Sequence, residues 1–350
     1  MKNKGRVKPL FLVLLSSILL SFLIILAANG CVPTYDFSIV VIADPHCTGS
    51  QEHWDRLDSA VNWINANKTA KKIELVVIVG DIAWGGNNLS VARQKLDCLT
   101  TPYLPVIGDN EVNDGDEVTF NTVFSSHFDS LAALFGSSWD KSPIPVQDPR
   151  TNEYLYLQNY SFDYKGLHII CTDWGTRNPG PGLESEQAEL FDFEGGTWPW
   201  FKQDIESSIG DIKNNILVFS HHPMHVSPAY PLIKSDLGAF SVNDFKTITS
   251  FTLEFQDYYY ANYAGHYHIP WNQDIKEGGY KLYVVRSLHQ PQQLVNTQIL
   301  IEPTVELINV TRQESGFSYK NLLVFLNQKG KELILDDNQN NQEALMNLLP

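Results

Sequence analysis

Short apolar runs that end in polar or charged loops recur along the chain after residue 36. The first of them, Phe37 to Ala43, runs directly into Asp44, and two more runs end before residue 110. Near-continuous runs of Val, Ile and Leu are typical of strands that are buried on both faces of a sheet. Four apolar residues between the first two runs have helical spacing: Trp54, Leu57, Val61 and Ile64. This alternation predicts an α/β fold with βαβ crossovers and a mostly parallel sheet in the first half.

Further strands are predicted in the second half of the chain, and two of them end in histidine. Ile216 to Phe219 leads into Ser220-His221-His222, and Tyr258 to Ala264 leads into Gly265-His266. The remaining apolar runs predict strands over residues 167–172, 282–285, 298–301, 305–310 and 322–325, and helices over 120–135 and 200–209. Residues 174–199 are rich in Gly and Pro, which predicts a long surface loop.

The first 30 residues differ in composition from the rest of the chain. An apolar stretch from Leu10 to Ala28 is preceded by four basic residues: Lys2, Lys4, Arg6 and Lys8. This order is typical of an export signal, and it leaves the chain beyond it outside the cytoplasm. The apolar stretch is nearly long enough to span a bilayer, so an uncleaved anchor is an alternative. Gly30-Cys31 also resembles the cleavage site of a bacterial lipoprotein, with Cys31 as the lipidated residue.

Three parts of the chain follow from these patterns. Residues 1–30 are predicted to be a signal peptide or membrane anchor, and residues 37–310 to be the folded domain. Residues 311–350 form a C-terminal extension, which from residue 336 is rich in Asn, Gln and Asp and is predicted to be disordered. The protein is predicted to be extracytoplasmic, secreted or anchored at the outer face of a membrane, and to contact the membrane only through its N-terminal segment. The oligomeric state stays open.

The charge of the chain bears on its partners. Its 350 residues include 25 basic and 40 acidic ones, which gives a net charge of −15. Four of the basic residues and none of the acidic ones lie in the first 30, so the rest of the chain carries −19. An acidic surface repels phosphate polymers, which argues against binding of nucleic acid. A hydrophobic content of 43% argues against disorder of the whole chain.

Acidic and imidazole side chains follow the predicted strands at the points where the strands end. The set comprises three aspartates and five histidines: Asp44, Asp81, Asp109, His46, His221, His222, His266 and His268. In open α/β sheets, binding sites form outside the carboxyl ends of the strands, so these side chains are expected to converge. Seven or eight mixed nitrogen and oxygen ligands exceed one tetrahedral site. The sequence therefore predicts two metal ions, an arrangement suited to in-line displacement at phosphorus.

Five short motifs along the chain resemble those of the calcineurin-like metallophosphoesterases, and they occur in the same order. They are Asp44-Pro45-His46, Gly80-Asp81, Gly108-Asp109-Asn110-Glu111, His221 and Gly265-His266-Tyr267-His268. The resemblance covers residues 37–310, which it identifies as a metallophosphoesterase domain. It implies two packed mixed β-sheets flanked by helices, an α/β/β/α sandwich. A resemblance in five ordered motifs is more specific than any one of them.

The resemblance also implies a ligand set for two metal ions. Asp44, His46 and His268 would hold the first ion. Asp81 would bridge both ions, and His221, His266 and a residue of the third motif, Asp109 or Asn110, would hold the second. The ions implied are divalent, such as Mn, Zn or Fe, and a trivalent ion is an alternative. His221 is preferred over His222 because Val218-Phe219-Ser220-His221 has the spacing of the family.

The third motif departs from the family pattern at two positions. Asp109 replaces the usual Asn ligand, so a site with two divalent ions has a net charge of +1. A less positive site should lower the pKa of its bridging water less. Asn110 replaces a His that assists the leaving group in the family, and an amide cannot transfer a proton at neutral pH. We therefore take Asn110 and His222 as the candidate catalytic residues, with His225 as another candidate acid. A preference for esters with good leaving groups is the alternative.

Another departure concerns a coloured branch of the family, the purple acid phosphatases. They carry a metal-bound Tyr three residues after the Asp of the second motif, and this chain has Trp84 there. Because indole has no donor oxygen, the resemblance implies that the protein lacks the tyrosinate colour.

Together these features predict an exported, dinuclear-metal-dependent phosphoesterase. It would hydrolyse small phosphate mono- or diesters by attack of a metal-bridging hydroxide. The alternative is a binding protein that keeps the phosphoesterase fold but has little or no turnover because its third motif is altered.

Overall fold

The computed structural model describes residues 34–113, 117–177, 187–227, 239–268, 270–288, 292–295, 298–301, 303–326 and 331–334. The predicted export segment, residues 1–30, and the predicted disordered tail from residue 336 lie outside the described residues. Within the described residues, no helix is both long and apolar enough to cross a membrane.

Strands and helices alternate in the first half of the chain, as the apolar pattern predicts. The helices are α1 (Gln51–Asn67), α2 (Gly86–Leu96), α3 (Asp109–Asn113), α4 (Glu117–Phe135), α5 (Thr197–Ser208) and α6 (Val242–Thr252). The strands up to the middle of the chain are β1 (Phe37–Ile42), β2 (Ile73–Val79), β3 (Tyr103–Val106), β4 (Asp140–Lys141), β5 (Val146–Gln147), β6 (Tyr154–Leu155), β7 (Tyr160–Tyr164) and β8 (Leu167–Thr172). The later strands are β9 (Ile216–Ser220), β10 (Tyr259–Ala264), β11 (Trp271–Ile275), β12 (Tyr280–Val284), β13 (Gln292–Val295), β14 (Gln298–Ile301), β15 (Thr304–Arg312), β16 (Phe317–Phe325) and β17 (Lys331–Ile334).

Two large mixed sheets confirm the predicted fold class. The first has the strand order β17-β16-β15-β1-β2-β3, in which β1, β2 and β3 are parallel and β15 is antiparallel to β1. The second has the order β11-β12-β10-β9-β8-β7-β4, with a parallel centre formed by β8, β9, β10 and β12. The first sheet continues past residue 310, because β16 and β17 add to it beside β15.

Alternate residues of the central strands face two different cores. Leu217 and Phe219 on β9 belong to the core that contains β1, β2, α1 and α4. Ile216 and Val218 on the same strand belong to the core that contains α5 and α6. Side chains of a strand point alternately to its two faces, so β9 contributes to both cores, and its residues from Ile216 to Phe219 are all apolar. The sheet is therefore buried on both faces at the strands that carry the site.

The described part of residues 174–199 differs from the predicted surface loop. Trp174, Leu190, Phe191 and Trp198 are all buried. Trp174 packs edge-on against Phe201 of α5, and Trp198 stacks on the same ring. The prediction was wrong for this part because Gly and Pro indicate an irregular backbone but not its exposure. The aromatic side chains bury enough apolar surface to hold an irregular segment inside the fold.

His168 lies outside the predicted site and is satisfied by two carboxylates. Its Nδ1 is 2.8 Å from Asp163 Oδ1, and its Nε2 is 2.9 Å from Asp204 Oδ2. Burial alone lowers the pKa of His168, but the hydrogen bonds and charges of the two aspartates outweigh it and raise the pKa from 6.5 to about 9. Asp204 belongs to α5, so the charged imidazole links that helix to the second sheet.

The stability of the protein is therefore expected to fall above neutral pH. Because the folded-state pKa is raised, the stabilisation by His168 is complete below about pH 6.5 and is lost as the pH rises through about 9. The free energy of unfolding is measured in urea between pH 6 and pH 10, with metal present throughout. In the wild type it should fall by up to about 3 kcal/mol over this range, and in His168→Gln this fall should be absent. If the free energy of unfolding depends on pH equally in both proteins, the raised pKa does not belong to His168.

Candidate metal centre

The loops at the carboxyl ends of five strands bring the predicted residues together. Asp44 and His46 follow β1, and Asp81 follows β2. Asp109 is the first residue of α3, and only Ile107 and Gly108 separate it from Val106, where β3 ends. The loops after β9 and β10 carry the histidines: His221, His222, His266 and His268. The topology thus explains why ligands from distant parts of the sequence meet at one place.

One group of possible metal ligands consists of Asp44, His46, Asp81 and His268. Each of these residues offers a ligand atom, and the four atoms lie within 4.8 Å of one another. His46 Nε2 is 2.8 Å from His268 Nε2 and 3.3 Å from Asp81 Oδ2. The two imidazole nitrogens and the carboxylate oxygen therefore point at a common centre, as ligands of one ion would.

A second group consists of Asp109, His221 and His266, whose ligand atoms also lie within 4.8 Å of one another. His221 Nε2 is 2.8 Å from Asp109 Oδ1 and 3.2 Å from His266 Nδ1. The same nitrogen is 3.4 Å from Asp81 Oδ1. Because Asp81 Oδ2 faces the first group, the two oxygens of one carboxylate face the two groups. Asp81 is thus positioned between them.

An unsatisfied atom in the first group supports the fit of metal ions to these residues. Asp44 is completely buried, and its Oδ2 has no hydrogen-bond partner, whereas its Oδ1 accepts the backbone N–H of His266 at 2.8 Å. A buried carboxylate oxygen without a donor is costly in a folded protein. Three carboxylates and four imidazoles are the donor types that divalent Mn, Fe and Zn accept. The residues present therefore fit two metal ions.

Burial and the neighbouring charges together set the pKa values of these groups. Burial raises the pKa of Asp44, and it raises the pKa of Asp81 well above the usual range. Burial opposes charge on His221 as well, but Asp81 and Asp109 raise the pKa of His221 well above its usual value. The same burial lowers the pKa of His266 well below its usual value. Like charges at such short range need compensation by cations, which either protons or metal ions supply.

The tautomer of one ligand is fixed by the backbone. His221 Nδ1 lies 3.0 Å from the carbonyl oxygen of Val79, so Nδ1–H donates to this oxygen. In the neutral imidazole, the form that binds a metal ion, this leaves the lone pair on Nε2, which is directed at the second group. A carbonyl acceptor behind a metal-binding histidine is the usual way to fix its ring and its tautomer.

Strained backbone accompanies the ligands. Asp44, His46, Asp81, His266 and His268 all have positive φ, between 44° and 72°. Residues other than glycine adopt this region rarely, and such strain clusters at functional sites. The tight turns let consecutive motif residues point at the site directly after a strand ends.

Glycines before the ligands permit close packing of the loops. A Cβ on Gly108 would lie 2.1 Å from the backbone nitrogen of Asp81 and 2.3 Å from its Oδ1. A Cβ on Gly265 would lie 2.8 Å from Asp44 Oδ1 and from the carbonyl oxygen of Val79. The glycines of the motifs are thus explained by the approach of one ligand loop to another.

Gly108→Ala is expected to disrupt the centre. The added methyl group would overlap Asp81, which must shift, and overpacking of this kind costs about 1–3 kcal/mol of stability. Bound metal, measured by elemental analysis, and the urea midpoint should both decrease. Gly210→Ala is a matched control, because a Cβ there meets no atom within 4 Å. Unchanged metal content and midpoint in Gly108→Ala would contradict the close approach.

Asn110 points toward the first group and Asp109 toward the second. The backbone N–H of Asn110 donates to Asp81 Oδ1 at 3.0 Å, and its Nδ2 lies 2.7 Å from His46 Nδ1. Of the two residues that the sequence left as alternatives for the third motif, Asp109 is the one that the structure groups with His221 and His266.

The two candidate acids differ in their surroundings. The ring of His222 is buried and lies 4.6 Å from the ring of His266, beside the second group. His225 directs Nδ1 at its neighbour, the carbonyl oxygen of Val226, at 2.6 Å, and its ring packs against Phe245 and Trp271. Burial lowers the pKa of His225. His222 is therefore the candidate that lies beside the metal ligands.

Glu111 has a supporting role that the motif match alone did not assign. Its two oxygens accept the backbone N–H groups of Ala83 at 2.9 Å and Gly108 at 2.8 Å. Burial raises the pKa of Glu111 to about 7, although these two donors lower it. The carboxylate thereby joins the loops of the second and third motifs. The spacing of Glu111 after Gly108 is a signal that could have indicated this.

Ser287 supports the first motif and has no comparable signal in the sequence. Its Oγ donates to the carbonyl oxygen of Asp44 at 3.0 Å. The residue follows β12, far from the first motif in sequence, and a lone serine after a strand has many other uses.

Comparison with known proteins agrees on one family and one fold. A family model described as calcineurin-like phosphoesterase matches residues 37–270. The fold is similar to that of a dimetal phosphatase from zebrafish (Danio rerio), with a TM-score of 0.53, 13% identity and coverage of 87% of this chain and 100% of that chain. It is also similar to that of a purple acid phosphatase from yellow lupin (Lupinus luteus) seeds, with a TM-score of 0.50, 13% identity and coverage of 85% of this chain and 52% of that chain. No curated protein sequence matches the chain significantly.

Proposed function

The chain belongs to the calcineurin-like phosphoesterase family and is a metal-dependent phosphoric ester hydrolase, and from this premise we propose that it is an exported enzyme that hydrolyses small phosphate mono- or diesters. The observation that carries the proposal is the pair of ligand groups that meet at Asp81. The family that the five motifs predict is thus confirmed, and the substrate class and the export are our proposals.

Each ligand group has its own part in the proposed mechanism. Asp44, His46 and His268 would hold one ion and share Asp81 with the second group, which Asp109, His221 and His266 form. When bound, the ions supply an activated water and the positive charge that stabilises the transition state at phosphorus. The protein keeps the ligands in place through backbone contacts: the N–H of Asn110 holds Asp81 at 3.0 Å, and Gly265 permits the close approach of Asp44.

Departure of the leaving group requires a proton when the alcohol is a poor leaving group. Asn110 can donate a hydrogen bond but cannot transfer a proton at neutral pH. His222 is buried beside the second group, within 4.6 Å of the ring of His266. We therefore assign His222 as the proton donor for alkyl esters.

His222→Gln is expected to lower kcat for an alkyl phosphate by about 10²-fold, the lower end of the usual contribution of a general acid. Turnover of a 4-nitrophenyl ester should change little, because nitrophenolate leaves without protonation. The two values are compared by steady-state kinetics at equal metal occupancy. Equal losses on both substrates would show that His222 does not protonate the leaving group.

The substrate class is supported by charge. The chain beyond residue 30 carries −19, and three of its carboxylates lie in the centre itself. Two divalent ions against Asp44, Asp81 and Asp109 leave +1 locally, so a phosphate group is attracted at the centre while the surrounding surface repels long polyanions. Small esters are therefore favoured over nucleic acid polymers.

Metal analysis combined with two chromogenic substrates tests the proposed activity. We expect two metal ions per chain and hydrolysis of 4-nitrophenyl phosphate or bis(4-nitrophenyl) phosphate. The ratio of the two rates then decides between a monoesterase and a diesterase. Two bound ions without turnover of either ester would favour the alternative. The protein would then be a phosphoesterase-fold binding protein that has little or no turnover because its third motif is altered at Asp109 and Asn110.

Export is proposed from the N-terminal sequence alone. The basic start and the apolar stretch from Leu10 to Ala28 support a signal peptide or an anchor. Expression of the full chain in a bacterium, followed by fractionation, should place the protein outside the cytoplasm. Labelling with an alkyne fatty acid, compared between the wild type and Cys31→Ala, separates a lipoprotein from a secreted or membrane-anchored form. Retention in the cytoplasm would contradict export.

A further inference from the structure

The imidazole of His46 has two side chains at the nitrogen that faces away from the metal ligands. Its Nδ1 is 2.7 Å from Asn110 Nδ2 and 3.2 Å from Trp84 Nε1, and both of these atoms are donors. Its other nitrogen, Nε2, faces His268 and Asp81 in the first ligand group. Nε2 is therefore the atom of His46 that would bind the ion.

Binding through Nε2 imposes a condition on Nδ1. A neutral imidazole carries one proton, so when Nε2 offers its lone pair to an ion, Nδ1 must carry the hydrogen and needs an acceptor. The indole N–H of Trp84 can only donate. The carboxamide of Asn110 directs its NH2 group at Nδ1 here, and a flip of the amide places its oxygen at the same point.

We propose that Asn110 is a positioning residue, whose Oδ1 accepts the Nδ1–H of His46 and so selects the tautomer that binds the first metal ion. The inference rests on the dinuclear centre proposed above and goes beyond it, because it gives Asn110 a role through His46. Asn110 is itself buried and is held by the bond from its backbone N–H to Asp81. Its side chain therefore has little freedom to leave Nδ1.

A second histidine in the same centre has the equivalent arrangement. His221 directs Nδ1 at the carbonyl oxygen of Val79, which can only accept, and Nε2 at the second ligand group. Asn110 Oδ1 would serve His46 as this carbonyl serves His221. Trp84 is 41% exposed, so its indole can turn away from Nδ1 when the proton is there.

Zinc binding to three variants tests the assignment. Asn110→Leu keeps the size of the side chain but removes the acceptor, and we expect one of the two zinc affinities to fall about 10–100-fold while the other stays unchanged. Trp84→Phe should not weaken zinc binding, because it removes only a donor. Asn243→Leu, at an exposed position of α6, is the matched control. A loss in Trp84→Phe equal to that in Asn110→Leu would overturn the proposal.

Nitrogen-15 NMR of histidine-labelled zinc protein gives a direct readout. In the wild type, His46 should be protonated at Nδ1, bound to zinc at Nε2, and slow to exchange its ring proton. Asn110→Leu should speed that exchange at least about tenfold, in proportion to the lost affinity. A His46 that binds zinc through Nδ1, or an exchange rate unchanged in Asn110→Leu, would refute the proposal. A wild-type protein that binds fewer than two zinc ions would instead refute the dinuclear centre.

Discussion

Asp81→Asn is expected to abolish the dinuclear centre and to lower kcat/KM by about 10³-fold or more, which corresponds to about 4 kcal/mol of transition-state stabilisation. The two carboxylate oxygens of Asp81 face different ligand groups, at 3.3 Å from His46 Nε2 and 3.4 Å from His221 Nε2. An amide offers one oxygen instead of two and no negative charge. At most one of the two ions would then keep a ligand at this position, and the two ions would no longer share it.

Metal content and kinetics together check this expectation. Bound metal should fall from two ions to one or none in the variant. Asp58→Asn is the control, since Asp58 pairs with Lys95 at the surface and lies outside both ligand groups. Two tightly bound ions with full activity in Asp81→Asn would show that the carboxylate does not bridge them.

Removal of the metal ions is expected to cost the protein both its activity and a large part of its stability. Two ions, each present at about 100 times its Kd, contribute about 5 kcal/mol together if they bind only the folded state. For a domain of this size, that corresponds to a fall in Tm of about 10 °C. The buried carboxylates of Asp44, Asp81 and Asp109 lie close together, so without cations they must take up protons or repel one another.

Thermal unfolding with and without a chelator measures the effect. Addition of zinc or manganese to the stripped protein should restore both Tm and turnover. The Tm of Asp81→Asn should respond much less to the chelator than that of the wild type, which ties the effect to this centre. A Tm that is independent of the chelator in the wild type would contradict metal binding in the folded state.

The alternation of apolar runs predicted the α/β class, and the resemblance of the five motifs implied the two-sheet fold. The structure brings the side chains of these motifs together in two groups that could hold metal ions. A buried apolar strand followed at once by Asp or His is visible in the sequence, and parallel strands deliver their carboxyl ends to one edge. The boundaries of β8 and β14 are those of the apolar runs 167–172 and 298–301, and β1 and β9 each differ from their predictions by one residue.

Other features depend on contacts between distant segments, which the sequence pattern does not contain. Helix α6 and strand β11 were missed, because Val242–Thr252 is rich in Thr and Ser, and Trp271–Ile275 contains three polar residues. The hydrogen bond between Asn110 and His46 depends on how two loops 64 residues apart pack against each other. Its consequence for the tautomer of His46 is therefore accessible only from the structure.

The pairing of β1 with β15 has a consequence for biosynthesis. Phe37 lies opposite Val310, so the strand that leads into Asp44 obtains its antiparallel neighbour only after a further 310 − 37 = 273 residues have been made. At a synthesis rate of about 5–20 residues per second, this delay is about 15–55 s. During that time β1 has at most one of its two partners, and the first sheet cannot be completed. This sheet therefore stays incomplete while the residues between β1 and β15 are made, which is the condition in which an unfolded-chain translocase or a chaperone can engage the chain.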